Sequence, residues 1–427
     1  MNPRKRVLSA SALCLGLALA SACAGQGTGA SQSASDAVSV SSQSQASETV
    51  ITLSEDGVDI QGTGAAALVD GTVNITAGGV YRLAGALEGG VVVNAPEQAV
   101  ELILAGAEIH NPDGPAILFQ DAGEALVTLA AGSANALSDG GDSEYDGALY
   151  SVPSLTISGD GALEVTGNRE EGIATELHLT IDGGTISVAS MDDGFNANND
   201  GVSVITINGG DIRIDAGGDG IDSNGSLAVN GGRVLAMSAT GDMSGGLDCD
   251  GELLINGGVV MATGASSTMP AEGSAQRSLV LNLSQAQEAG TLVQVREGDE
   301  LLAAFAPARE YSQVLYSSPE LQEGVEYTIL TGGTGSGEDG ALAGVYEEAQ
   351  DGQEQGTVTT QSVEENRGMG RPGGPAGPAG ERQEPPEGEP GEERSPMEGE
   401  GQPPEPPEGN GPGESGEPPE APGGGQE

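Results

Sequence analysis

Between residues 146 and 270 apolar and polar positions alternate in short runs that keep returning. In Ile205-Thr206-Ile207-Asn208-Gly209-Gly210-Asp211-Ile212-Arg213-Ile214 two alternating runs flank an Asn-Gly-Gly phrase, and segments 179–188, 229–234 and 255–260 repeat the theme. Alternation at period two places neighbouring side chains on opposite faces of a strand. Asn and Gly tolerate the positive φ that a tight turn needs. Each unit therefore predicts strand, turn, strand.

A second phrase precedes each unit. It reads acidic or small residue, Gly, apolar residue, then a polar pair one residue apart. It begins at Asp146, Glu171, Asp193, Asp219 and Gly245, so successive starts are 25, 22, 26 and 26 residues apart. A plain hairpin at each Asn-Gly-Gly is the local alternative. The units all run in one order, however, and each is homologous to the next. A period of this size with two or three short strands predicts one coil of a parallel β-helix. Aligned positions then stack about 4.8 Å apart. Two inward columns come out apolar: Ile157, Ile181, Ile207, Val229, Ile255, and Leu163, Ile186, Ile212, Val234, Val260. The turn column Ser158, Asp182, Asn208, Asn230, Asn256 is polar and suited to hydrogen bonding along the stack. The column Tyr150, Thr175, Ala197, Ser223, Cys249 is mostly small and faces inward, which makes Cys249 a buried core residue.

Residues 49–145 read as short strands with turn signals and no long helix, the irregular early rungs of the same stack. The β-helix is thus expected over 49–274. Residues 275–333 look like a small antiparallel β unit, with Gly298-Asp299 as a hairpin turn, that caps the open end. Residues 334–427 are rich in Gly, Pro and Glu and are expected to be a disordered tail. Fold class is therefore all-β.

Composition narrows the function. The chain has 427 residues, no Trp and 2% aromatic residues, so aliphatic side chains must supply the core in thin repeated layers. A formal net charge of -51 argues against nucleic acid as a partner and favours cations. Residues 1–22 have the shape of a secretory signal: Arg4, Lys5 and Arg6, then a short apolar run. The run ends in Ala20-Ser21-Ala22-Cys23, which resembles a bacterial lipobox. Cleavage before Cys23, lipidation of its thiol and a flexible membrane tether over 23–48 are expected. The mature chain then keeps Cys249 as its single cysteine and forms no internal disulfide. A monomer is expected.

Candidate chemistry sits on the first phrase of the repeat. With its third position pointing inward, the fourth and sixth positions share the outer face. They hold Asn196 and Asn198, Asp222 and Asn224, Asp248 and Asp250 on three successive rungs. Carboxylates stacked about 4.8 Å apart repel unless a cation lies between them, and calcium takes oxygen ligands at about 2.3–2.6 Å. Asp192, Asp193 and Asp219 lie beside the column and complete a coordination shell. Read one segment at a time, the same residues are ordinary turn formers. Zinc is disfavoured, because His110 and His178 are far apart and Cys249 is single.

The units at 171–198, 219–234 and 245–266 resemble the bacterial family of carbohydrate-binding domain-containing proteins, surface β-helix proteins related in fold to calcium-dependent pectate lyases. The resemblance covers roughly residues 49–333. It implies a right-handed parallel β-helix, bound Ca2+ and affinity for cellulose or acidic pectic polysaccharide. By matching motif it implies calcium positions at Asp193, Asp219, Asp222, Asp248 and Asp250. Arg213 and Arg233, outward on adjacent rungs, either contact a uronate carboxylate or pair with Asp211 and Asp215. The single lysine, Lys5, leaves with the signal segment, which removes a Lys base for a lyase. No catalytic residue is assigned. Polysaccharide binding at the cell surface ranks first, a calcium-dependent lyase or a glycoside hydrolase second, and a structural adhesin third.

Overall fold

A computed structural model describes residues 48–360, apart from 55, 56, 142, 242 and 243. The signal segment, Cys23, nearly all of the tether and residues 361–427 lie outside the described residues. Those described form strands, turns and bends, with no α-helix among them.

The regular coils have three faces. The first carries Gly147–Ser151, Glu171–Thr175, Phe195–Ala197, Ile221–Ser223 and Leu247–Cys249, each parallel to the next. The second carries Leu155–Gly159, His178–Ile181, Val204–Ile207, Ser226–Val229 and Leu253–Ile255. The third carries Ala162–Gly167, Thr185–Ser190, Asp211–Asp215, Arg233–Met237 and Val259–Gly264. This is a parallel β-helix. The earlier coils belong to the same stack. Val91–Asn111 and Ile117–Leu129 are long strands that continue around corners, paired in parallel. Two antiparallel hairpins start the stack, Thr49–Ser54 with Gly57–Gln61 and Ala66–Val69 with Thr72–Ile75.

The two apolar columns are the core. Ile157, Ile181, Ile207, Val229 and Ile255 stand in successive register, as do Leu163, Ile186, Ile212, Val234 and Val260, and none is more than 1% exposed. Each such side chain contributes about 1.5–3 kcal/mol by leaving water. Outside, the turn column is a carboxamide ladder. Asn208 Nδ2 donates to Asp182 Oδ1 at 2.8 Å, Asn230 Nδ2 to Asn208 Oδ1 at 2.9 Å, and Asn256 Nδ2 to Asn230 Oδ1 at 2.9 Å. The second glycine of each Asn-Gly-Gly, and of Asp182-Gly183-Gly184, adopts a positive φ, from 82° to 97° at Gly184, Gly210, Gly232 and Gly258.

The glycine of the first phrase has a different reason. A Cβ on Gly194 would sit 2.1 Å from Ile214 Cγ2, and one on Gly172 would sit 2.2 Å from Val188 Cγ1. The first face meets the third too closely there for any side chain.

Two expectations need correction. The first rung pairs Gly147 with Glu171, Leu149 with Ile173, Tyr150 with Ala174 and Ser151 with Thr175. Matching Asp146 to Glu171 is therefore one residue out of register. Because a one-residue slip exchanges the faces of a strand, Ser151 joins Thr175, Ala197, Ser223 and Cys249 inside, and Tyr150 joins the fourth-position column. Cys249 itself is buried, 7% exposed.

The second correction concerns the expected tail. Segments Thr334–Glu338, Tyr346–Gln350 and Gln353–Thr359 are strands. Gln353–Thr359 adds to a four-stranded antiparallel sheet with Glu326–Thr331, Val293–Glu297 and Glu300–Phe305. Main-chain pairing does this work where apolar residues are few, helped by Leu342 at 0% and Ala349 at 7% exposure. Gly298-Asp299 is the expected turn between paired strands. Tyr311–Ser317 runs antiparallel to the last third-face strand and closes that end. Leu235, Met237 and Met261, outward on the third face, pack against Val293, Tyr311 and Tyr316 of this unit.

Candidate functional site

The fourth-position column runs along the first face. Leu118, Tyr150, Ala174, Asn196, Asp222 and Asp248 occupy it in unbroken register. Its early half is apolar, with Leu118, Tyr150 and Ala174 buried beneath Tyr145. Its late half is Asn, Asp, Asp.

Beside the late half stand the corner acids. Asp193 Oδ1 accepts from the Asp219 backbone N–H at 2.7 Å, and Asp219 Oδ1 accepts from that of Gly245. Each corner acid thus ties its coil to the next one. Asn196 Nδ2 donates to Asp193 Oδ2 at 3.0 Å, which leaves Asn196 Oδ1 buried without a partner. A Cβ on Gly218 would lie 2.2 Å from Asp192 Oδ1 and 2.5 Å from Asp193 Oδ1, so both carboxylates lean over that glycine.

Crowding raises the proton affinity of these acids. Burial, then the charges of Asp192, Asp219 and Asp222, pushes Asp193 up to about 7. Burial, then Asp219, Asp248 and Asp250, pushes Asp222 up to about 7. Burial, then Asp248 and Asp192, pushes Asp219 up to about 6. Among the described residues none of Asp193, Asp219, Asp222 or Asp248 has a cationic side chain within ion-pair distance. All the donors are oxygens, and one buried oxygen has no partner, which suits a hard cation.

The sixth positions make further contacts of their own. Asn224 Nδ2 donates to Asn198 O at 3.1 Å and Asp200 Oδ1 at 3.0 Å, so its carboxamide serves the corner. Asp250 and Asp192 are exposed.

Of the two readings of Arg213 and Arg233, uronate contact or pairing with Asp211 and Asp215, the structure shows the pairing. They lie on the third face, away from the acidic column. Arg233 donates to Asp211 Oδ1 at 2.6 Å and pairs with Asp339. Arg213 pairs with Asp215 at 3.8 Å and donates to Ala343 O at 3.2 Å. Both hold the C-terminal unit against the stack, a role invisible while 334–360 is read as tail.

A further group was not foreseen. Asp146, Glu170 and Glu171 bring one carboxylate oxygen each within 4.8 Å of one another. The acidic first position of the repeat was the available signal.

Comparison with known proteins follows the same lines. A family model described as carbohydrate-binding domain-containing protein matches residues 69–304, more than half of the chain. A relative from Acetivibrio thermocellus with that description is 30% identical over 148 residues, 32% of this chain and 52% of the relative. The chain thus spans about half the length of the curated relative it matches. A solved structure described as the polysaccharide lyase-like protein from C. thermocellum, in a gadolinium derivative, is 26% identical, covering 50% of this chain and 93% of its own, with a TM-score of 0.42.

Proposed function

This chain belongs to the carbohydrate-binding domain-containing protein family, and from that premise we propose that it binds acidic polysaccharide through calcium held on the first face of its β-helix. The observation that carries the reading is the in-register column Asn196, Asp222, Asp248, flanked by Asp193 and Asp219, with no ion pair to these acids among the described residues. Asp222, Asp248 and the free Asn196 Oδ1 are the residues that would hold the ion. Bound there, calcium supplies the positive charge that carboxylates of both coils and a uronate can share.

Charge and aromatic content choose between glycan classes. A net charge of -51 repels a polyuronate unless a cation bridges the two. A neutral crystalline glucan would call for a platform of exposed rings. Tyr81, Tyr150, Tyr311, Tyr316, Tyr327 and all three phenylalanines are buried, and only Tyr145 and Tyr346 are half-buried. The acidic glycan is therefore preferred over cellulose. Lipidated at Cys23, the chain would present this face at the cell surface.

Calorimetric titration of the full chain with polygalacturonate tests the reading. Heat in calcium, none with chelator and no new unsaturated or reducing ends is the expected result. New chain ends would make the protein an enzyme instead, and absence of heat in calcium would remove the reading.

A further inference from the structure

Beside the apolar half of the first face the line of corner acids continues, with Glu171 one coil before Asp193 and two further acids next to it. Asp146 closes the loop before Gly147–Ser151, and Glu171 opens the strand of the following coil. The two are joined by the Glu171 N–H donating to Asp146 O at 2.7 Å. With Glu170 they bring three carboxylates together, each offering an oxygen within 4.8 Å of the others. Oxygens on opposite sides of a calcium ion lie about 5 Å apart, twice the bond length, so this spread matches one coordination shell.

A second observation points to a ligand. Glu171 is 6% exposed, and its buried Oε2 has no hydrogen-bond partner. An ionised carboxylate in that position is costly unless it is paired or bound to a metal. Among the described residues the one ion pair made by these three acids is Arg169 with Glu170 Oε1, at 2.7 Å. Burial, then Asp146, Asp193 and Asp192, pushes Glu171 up to about 8.

We propose that Asp146, Glu170 and Glu171 form a separate site for a hard divalent cation of the calcium class, one that staples the loop before one coil to the strand of the next. It does not depend on the glycan reading. Tyr145 and Tyr150 stand beside it with ring centroids 5.1 Å apart, and Tyr150 hydrogen-bonds Glu176. They provide a built-in reporter, since the chain contains no Trp.

The test uses terbium, which substitutes for calcium at oxygen sites and emits when a nearby tyrosine is excited. The full chain carries Asp222→Asn and Asp248→Asn, so that the column is silenced. Saturable tyrosine-excited emission, displaced by calcium, is expected. Adding Glu171→Gln should weaken terbium binding by at least about tenfold, the lower range for disturbing a metal site. Glu170→Gln, at a half-exposed position that folding tolerates, should weaken it too, with the far-UV spectrum unchanged. Emission absent from the parent, or equally strong in a folded Glu170→Gln protein, would overturn the site. If that happens while polygalacturonate still binds with calcium, the glycan reading stands alone. If emission behaves as expected and polygalacturonate does not bind, the cation site stands without it.

Discussion

Asp222 stands directly beside Asp248 on the next coil, in register on parallel strands. At about 4.8 Å their charges oppose stacking unless a cation is shared. Replacing both by Asn should therefore have opposite effects in two conditions. With chelator the double variant should melt above the native protein, because repulsion is removed. With calcium the native protein should gain stability, by up to about 4 kcal/mol at a thousandfold excess over Kd, and the variant should lose the part contributed by this column. Differential scanning calorimetry in both conditions measures this, and unchanged calcium stoichiometry in the variant would refute the column as a site.

Chelated protein should grow less stable as pH rises. Glu171 sits at about 8, Asp193 and Asp222 at about 7 and Asp219 at about 6, each raised chiefly by burial. The folded chain retains protons that the unfolded chain has already released, so this contribution is complete below the unfolded values near 4 and is lost as pH passes the folded ones. Melting temperature with chelator should fall between about pH 5 and pH 8, and calcium should restore most at the alkaline end. A chelated curve that climbs over that range would contradict the assignment.

Gly194→Ala should be disruptive although its chemistry is mild. The new Cβ would meet Ile214 Cγ2 at 2.1 Å and Gly220 O at 2.5 Å. Overpacking of this kind costs about 1–3 kcal/mol. Gly340→Ala, whose Cβ meets nothing within 4 Å, should be nearly silent. Urea denaturation of the two variants gives the comparison.

Asn230→Ala should loosen the outer ladder without unfolding it. Asn230 donates to Asn208 and accepts from Asn256, both at 2.9 Å. Hydrogen bonds at an exposed surface contribute at the low end of about 0.5–1.5 kcal/mol each. Amide exchange should accelerate in the turns around 208, 230 and 256 and stay unchanged near Ile117–Leu129.

The stack was legible because its two signals reinforce each other. Period-two alternation set the faces, and a polar residue followed by glycine (Asn-Gly-Gly in three coils, Asp182-Gly183-Gly184 and Ser158-Gly159 in two) marked the same corner, so Ile157 through Ile255 fell into one column. The reading slipped at Tyr150, where Asp146-Gly147 imitates the later Asp-Gly pairs but sits one position earlier than its neighbour requires. A motif match carries no register of its own there; the coil closing around Leu149 and Ile173 does. The group at Asp146, Glu170 and Glu171 escaped notice because it forms across a corner and not along a strand. The strands after residue 334 escaped because backbone pairing, of Gln353–Thr359 to Glu326–Thr331 and of Thr334–Glu338 to Tyr346–Gln350, leaves little trace in composition.

The antiparallel strand Tyr311–Ser317 on the last coil has a consequence for many molecules at once. A parallel stack is self-templating, since its final strand offers the next chain the same bonding edge that the coil before offered it. Reversing direction there, as the hairpin Thr49–Ser54 with Gly57–Gln61 also does at the other end, breaks that invitation. Neither end of the stack then presents, at these strands, the parallel continuation that a further coil from another molecule would need.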